Sequence, residues 1–110
     1  MLANINRLRK TAEIQKVFKF GRSLRSTNFS IRYNPNHLVA NRFALVVGTK
    51  VDKRATRRNA IKRQLREILR QIWTDIPKGY DFVFLTQRLP SWPLKQAEIK
   101  EEIYNLIGKV

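Results

Sequence analysis

The chain has 110 residues, enough for one hydrophobic core and too few for a second domain, and 43% hydrophobic side chains argue for a packed globule over charge-driven disorder. Lys and Arg number 23 against 8 Asp and Glu, a net charge of +15 that points to a polyanionic partner. The absence of cysteine excludes disulfides and thiolate metal sites and suits a reducing cytoplasm, and with no apolar run near about 18 residues and no signal-like N-terminus, neither export nor membrane spanning is indicated.

Residues 1–9, with Arg7 and Arg9 running into Lys10, are expected to form a flexible basic arm on a single 1–110 domain. From Thr11 a short helix is predicted, with Thr11 as N-cap, Glu13 at the positive end of the dipole and Gly21 as terminator; Ile14, Val17 and Phe18 form its apolar face. From Thr27 to Asn34, Phe29, Ile31 and Tyr33 alternate with Ser30, Arg32 and Asn34, the period of a strand with one buried face. Asn34-Pro35-Asn36 then turns the chain, and His37, the only histidine, falls in this polar loop as a solvent residue. Arg42 to Val51 is apolar through its middle, as for a strand covered on both faces, and its short connection to the preceding strand predicts an antiparallel hairpin.

The segment from Lys50 to Trp73 carries nine Lys or Arg against two acids, Asp52 and Glu67. From Ala55 it reads as a helix, because Ile61, Leu65, Ile68, Leu69 and Ile72 recur at spacings that stack on one side. Arg58, Asn59, Lys62, Arg63, Arg66 and Arg70 fan over the neighbouring arc. A charge run on a helix is often only a solvated face, but such faces usually mix signs. Here only Glu67 interrupts the arc, and polyphosphate is the natural counterpart. Pro77-Lys78-Gly79 breaks the chain before a buried strand at Tyr80 to Thr86; Pro90, Trp92 and Pro93 mark a loop. A final helix from Leu94 or Lys95 to Leu106 or Ile107 has Ala97, Ile99, Ile103, Leu106 and Ile107 as its stripe and Glu98, Glu101 and Glu102 on a wet face. The order α-β-β-α-β-α predicts an α+β two-layer sandwich of three helices on a small mixed sheet. Residues 1–70 hold 18 basic and 3 acidic side chains while the remainder is balanced, so the front of the chain is expected to meet the partner.

A nuclease needs a general base, a metal cluster or an activated nucleophile. The eight acids are scattered and the one histidine is isolated, so no catalytic residue and no protein-borne metal site is expected.

The run Arg58-Asn59-Ala60-Ile61-Lys62-Arg63-Gln64-Leu65-Arg66-Glu67 resembles the signature helix of the bacterial ribonuclease P protein subunit, and Lys50 with Lys53-Arg54-Ala55 is similar to its approach. Leu8 to Ser23 resembles the family's first helix with its Phe-Lys-x-Gly ending at Phe18 to Gly21. The resemblance covers nearly the whole chain. It implies an accessory subunit, inactive alone, that joins a catalytic RNA in endonucleolytic removal of the 5′ leader from precursor tRNA, with Mg2+ held mainly by RNA and substrate; no protein partner is evident in the sequence. It assigns Lys50, Lys53, Arg54, Arg57, Arg58, Asn59, Lys62, Arg63 and Arg66 to the RNA subunit, and Ile14, Lys16, Phe18 and Arg32 to a cleft for the single-stranded leader. It also implies a left-handed β-α-β crossover around the signature helix, where general rules favour a right-handed one. The family commonly has an aromatic at Ile14 and often another at Arg32. Ile cannot stack on a base whereas Arg can cover one, so leader recognition here would lean on charge and on Phe18.

Charge and spacing alone leave three other readings: a ribosomal or assembly protein using the helix as glue, an autonomous nuclease, and a DNA-binding helix. Only a ribonuclease P subunit should alter precursor tRNA cleavage by a partner RNA.

Overall fold

A computed structural model describes residues 8, 10–38, 40–88 and 93–110. Most of the expected basic arm, residues 1–7 and 9, and the loop residues Pro90 and Trp92 lie outside the described residues. Leu8 departs from the expected arm: it is buried, and its N–H donates to the Phe43 carbonyl at 2.8 Å.

Helix α1 spans Thr11–Phe20, with Lys10 rather than Thr11 at the N-cap and no side chain closing that end. Gly21 ends the helix in an extended conformation, not a left-handed one, its N–H donating to the Val17 carbonyl at 2.8 Å. A Cβ here would fall 2.3 Å from the Val17 oxygen and 2.7 Å from the Tyr33 oxygen. Glycine is required because two backbones meet at this point.

Strand β1 (Arg22–Arg25) follows, then β2 (Phe29–Pro35), β3 (Arg42–Val47), α2 (Ala55–Ile72), a 3-10 turn (Trp73–Asp75), β4 (Tyr80–Thr86) and α3 (Gln96–Ile107). Strand β1 was not anticipated, since Arg-Ser-Leu-Arg has no apolar run to mark it. The sheet order is β1-β2-β4-β3, which corrects the predicted hairpin. Strand β2 makes its hairpin with β1, and β4 inserts between β2 and β3, antiparallel to the first and parallel to the second. The reason is burial. Phe82, Val83 and Phe84 are all at most 3% exposed, so β4 needs cover on both faces and takes a central position. Strand β3, expected to be covered twice, is instead an edge strand that stops at Val47, with the chain turning at Gly48 to Val51.

One sheet face carries Phe29, Ile31, Phe43, Val47, Phe82 and Phe84, packed with Ile61, Leu65, Ile68, Leu69 and Ile72 of α2 and with Ile99, Ile103, Leu106 and Ile107 of α3. Val46, in the strand expected to be covered on both faces, points to the other face and is 38% exposed. Ala97, expected in the α3 stripe, is also exposed. On the reverse face Leu8, Val17 and Val83 form a smaller cluster with Ile14, Ala44 and Leu85. The fold is α+β, with three helices and a four-stranded mixed sheet. Sheet, α2 and α3 make the two principal layers, and α1 covers part of the reverse face.

Polar joints fix the loops. The buried Asn41 side chain donates to the Pro77 carbonyl at 2.8 Å and accepts from the Tyr80 N–H at 3.0 Å, aligning the starts of the two parallel strands. Gly79 between them has φ +87, a conformation that favours glycine. Glu102, expected on a wet face, reaches instead into the β1–β2 turn. Its carboxylate accepts from the Ser26 hydroxyl, from the Asn28 N–H at 2.9 Å and from the Asn28 side-chain amide at 2.7 Å. Burial pushes this carboxyl up, but the hydrogen bonds outweigh it and hold Glu102 below the ordinary glutamate range.

Two measurements test this packing. Leu65→Ala, at a site 1% exposed, is expected to cost about 2 to 5 kcal/mol by denaturant unfolding, and an unchanged midpoint would contradict its place in the core. Glu102→Gln is expected to lose about 1 to 3 kcal/mol at neutral pH. Because the folded carboxyl is depressed, its contribution is complete above the ordinary glutamate range and fades as pH falls through the depressed value. Melting curves of wild type and variant should therefore converge on acidification; a gap independent of pH would rule out the ionised joint.

Candidate RNA interface

Helix α2 uses all five residues of its apolar stripe in the core, each at most 2% exposed, so its remaining arc is turned away from the sheet. Arg63, Asn59, Lys50, Lys53 and Arg54 are exposed on or just ahead of the helix, with Arg57, Arg58, Lys62 and Arg66 half-buried along it. The first turn contains no acid to complement the helix dipole. Asp52, just upstream, compensates: Oδ1 accepts from the Arg54 N–H at 2.9 Å and from Nε at 3.1 Å, and Arg57 Nη1 lies 3.8 Å from Oδ2. The Arg54 guanidinium beside it holds the Asp52 carboxyl below its usual range.

Arg58 differs from its neighbours. Its Nη1 donates to the carbonyls of Asp52 and Lys53 at 3.0 and 2.9 Å, so this side chain also shapes the loop leading into α2. Sequence reasoning assigned it to RNA alone. Further along, Glu67 accepts from Arg70 at 3.0 and 2.5 Å, which holds the carboxyl at about 2. Both partners are exposed, and such pairs add little stability.

On the reverse face of the sheet, the Arg32 guanidinium sits 5.3 Å from the centroid of the Phe18 ring and donates from Nη1 to the Phe18 carbonyl at 2.8 Å. Phe18 is 37% exposed, so ring and cation form one platform open to solvent. Lys16 is exposed on the same helix. Ile14 packs against Leu8, Val17 and Val83 and serves partly as core. Of the four residues expected in a cleft, Phe18 and Arg32 are thus joined directly, Lys16 lies on another part of the α1 surface, and Ile14 is turned into the packing.

A network not found from sequence lies beside this surface. Arg42 holds Asp81 with two bonds, Nε to Oδ1 at 2.9 Å and Nη2 to Oδ2 at 2.8 Å, and reaches Glu13 Oε2 through Nη1 at 2.7 Å. The Asn36 amide adds a bond to Asp81 Oδ1 at 3.0 Å. Arg42 and Asp81 are in register on neighbouring parallel strands, so the pair becomes visible only once β4 is placed beside β3. The network ties α1 to the sheet and walls a hollow of about 120 Å3 that Lys16 and His37 also line. His37 is exposed, as expected, with φ +59 in its turn, but the carboxylates of Glu13 and Asp81 line the same hollow.

Among the described residues no three His, Cys, Asp or Glu converge as a metal site. Glu13 and Asp81 both bind one guanidinium, a donor set that does not fit Mg2+. Among the described residues no helix is long and apolar enough to cross a membrane.

Known proteins are similar to this chain in sequence and fold. A family model described as Ribonuclease P matches residues 2–110. The chain is 40% identical to the ribonuclease P protein component of Petrotoga mobilis over 94% of its length and 90% of that protein, and 35% identical to that of Thermotoga maritima over 94% and 91%. The solved RNase P protein from Thermotoga maritima superposes with a TM-score of 0.84 at 31% identity, covering 94% of this chain and 96% of that one. The Staphylococcus aureus RNase P protein, at 23% identity and a TM-score of 0.79 over 94% of each chain, shares the fold. Matched over residues 2–110, along the length of its relatives and in fold, the chain belongs to the ribonuclease P protein component family.

Proposed function

We propose that this protein is the accessory subunit of ribonuclease P, binding the catalytic RNA through α2 and the 5′ leader of precursor tRNA through the Phe18–Arg32 platform. Family membership implies a subunit of an endoribonuclease complex that works with RNase P RNA in tRNA processing. In our reading the protein supplies no catalytic residue; cleavage and Mg2+ belong to the RNA and substrate, in the cytoplasm.

The observation that carries this reading is the division of α2. Its apolar stripe is consumed by the core, while Lys50, Lys53, Arg54, Arg57, Arg58, Asn59, Lys62, Arg63 and Arg66 lie along the rest of the helix and its approach. Arg guanidinium forks pair two phosphate oxygens at once, and Lys contributes point charge. A chain at +15 also offsets the repulsion between two polyanions, the catalytic RNA and the precursor. Helix α1 lies on the opposite sheet face from α2, so its platform is free to meet a different strand. There Phe18 offers a stacking face and Arg32 offers charge, with Lys16 adding charge elsewhere on the α1 surface; Ile14 supports the helix from beneath.

The protein alone is expected to leave precursor tRNA uncut, and titrating it into the cognate RNA should lower the magnesium concentration needed for 5′ processing at physiological salt. A magnesium requirement that did not move would count against the screening account. Lys62→Ala with Arg63→Ala should weaken assembly with the RNA and flatten its salt dependence by about one unit per lost phosphate contact. Arg58 is left intact in that variant because it also holds the 52–53 loop. Phe18→Ala should instead spare assembly and lower the affinity for leader-bearing precursor about five- to a hundredfold relative to mature tRNA. Equal losses in both titrations for both variants would mean one diffuse basic surface.

A further inference from the structure

Phe20 is the most exposed large apolar side chain among the described residues, at 63%, and no contact with either core cluster explains it. It stands two residues beyond Phe18, about 200° further round the helix, and so faces away from the Phe18–Arg32 platform. Beside it, where Gly21 locks the end of α1 against the Tyr33 backbone, lies a groove of about 380 Å3 lined by Phe20, Arg22, Tyr33, Asn34, Tyr80, Pro35 and Val110. That volume is within the range of small-ligand pockets, about 300 to 1,000 Å3. Tyr33 and Tyr80 meet edge to face with centroids 5.8 Å apart, and Lys19 Nζ sits 5.3 Å from the Phe20 ring centroid. Arg22 is exposed.

We propose that this groove is a second stacking site for an unpaired stretch of RNA, with Phe20 and the tyrosine pair taking base faces and Arg22 and Lys19 taking phosphate. Aromatic rings interleaved with cations are what a single strand requires, since every base has a stacking face and every linkage a charge. Charge separates this groove from the other exposed aromatic hollow. Tyr104, 49% exposed, lies in a cavity it shares with Asp75, Lys100 and Glu101, where carboxylates repel phosphate. The groove beside Phe20 is lined by no Asp or Glu side chain. Residue 32 faces the α1 side of β2 and residue 33 the opposite side, so this site is separate from the leader platform and does not rest on it.

The test uses the full chain and a fluorescently labelled ten-nucleotide oligoadenylate, with an RNA hairpin of equal charge as the duplex probe, followed by anisotropy. Phe20→Ala should bind the single strand about five- to a hundredfold more weakly than wild type and the hairpin equally well. Phe20→Leu should recover little of the loss, because it restores apolar area without a ring, and Tyr104→Ala should bind as wild type does. Photocrosslinking of a 4-thiouridine oligonucleotide should label Phe20, Tyr33 or Tyr80. Unchanged affinity in Phe20→Ala overturns the proposal, as does an equal loss in Tyr104→Ala. A Phe20-dependent dimer in sedimentation, with oligonucleotide affinity unaltered, would assign the patch to a second copy of the chain and also overturn it. Phe18→Ala keeps the two surfaces distinguishable: loss there with none at Phe20 sinks this site alone, and the converse sinks the leader platform alone.

Discussion

Strand β4 must be covered on both faces, and most of the architecture follows from that need. Phe82 and Phe84 point to α2 and α3, while Val83 and Leu85 point to Leu8 and α1. A strand of this kind cannot sit at an edge, so it inserts between β2 and β3 although both precede it in sequence. Its parallel pairing with β3 demands a long connection, and α2 is that connection. The basic helix is therefore held by the core along its whole apolar stripe. Its cations are carried on a rigid element whose position the chain cannot relax without exposing β4.

Acids in so basic a chain are used sparingly and at joints. Asp52 steadies the entry to α2, Asp81 and Glu13 hold Arg42 between β4 and α1, and Glu102 fastens α3 to the β1–β2 turn. Each lies where two segments distant in sequence or direction must be kept together, and partial burial strengthens a charged hydrogen bond relative to water. Lys50, Lys53, Lys16 and Arg63 are left exposed, which concentrates positive potential on the surfaces proposed to meet RNA.

Helix α1 serves both faces of this design. Val17 anchors it on the sheet, Gly21 lets its end touch the β2 backbone, and the Glu13–Arg42 pair holds its beginning. Two phenylalanines are then displayed in different directions from one short rigid element, Phe18 toward Arg32 and Phe20 toward the tyrosine pair. Rings preorganised on a helix docked at three points would lose little conformational entropy in the stacking proposed for them.

The α2 helix, its five-residue stripe and its cationic arc were legible in the sequence because they are local: a 3.6-residue period and a count of charges determine them without reference to the rest of the chain. The same holds for β2, β4, the stripe of α3 apart from Ala97, and the family signature at Arg58 to Glu67. Pairing was not local. The predicted β2–β3 hairpin failed because adjacency in sequence is only a tendency, and the greater burial of β4 overrode it. Strand β1 was missed because its polar side chains give no alternation to read; it exists through hydrogen bonds to β2. Glu102 and Arg42 were likewise undecidable, since a charged residue looks the same in sequence whether it meets water or a partner 39 or 74 residues away. Which residues are charged and which helix is basic was determined by the sequence itself. Which charges are tied down and which faces stay open was decided only when tertiary packing brought distant segments within hydrogen-bonding reach.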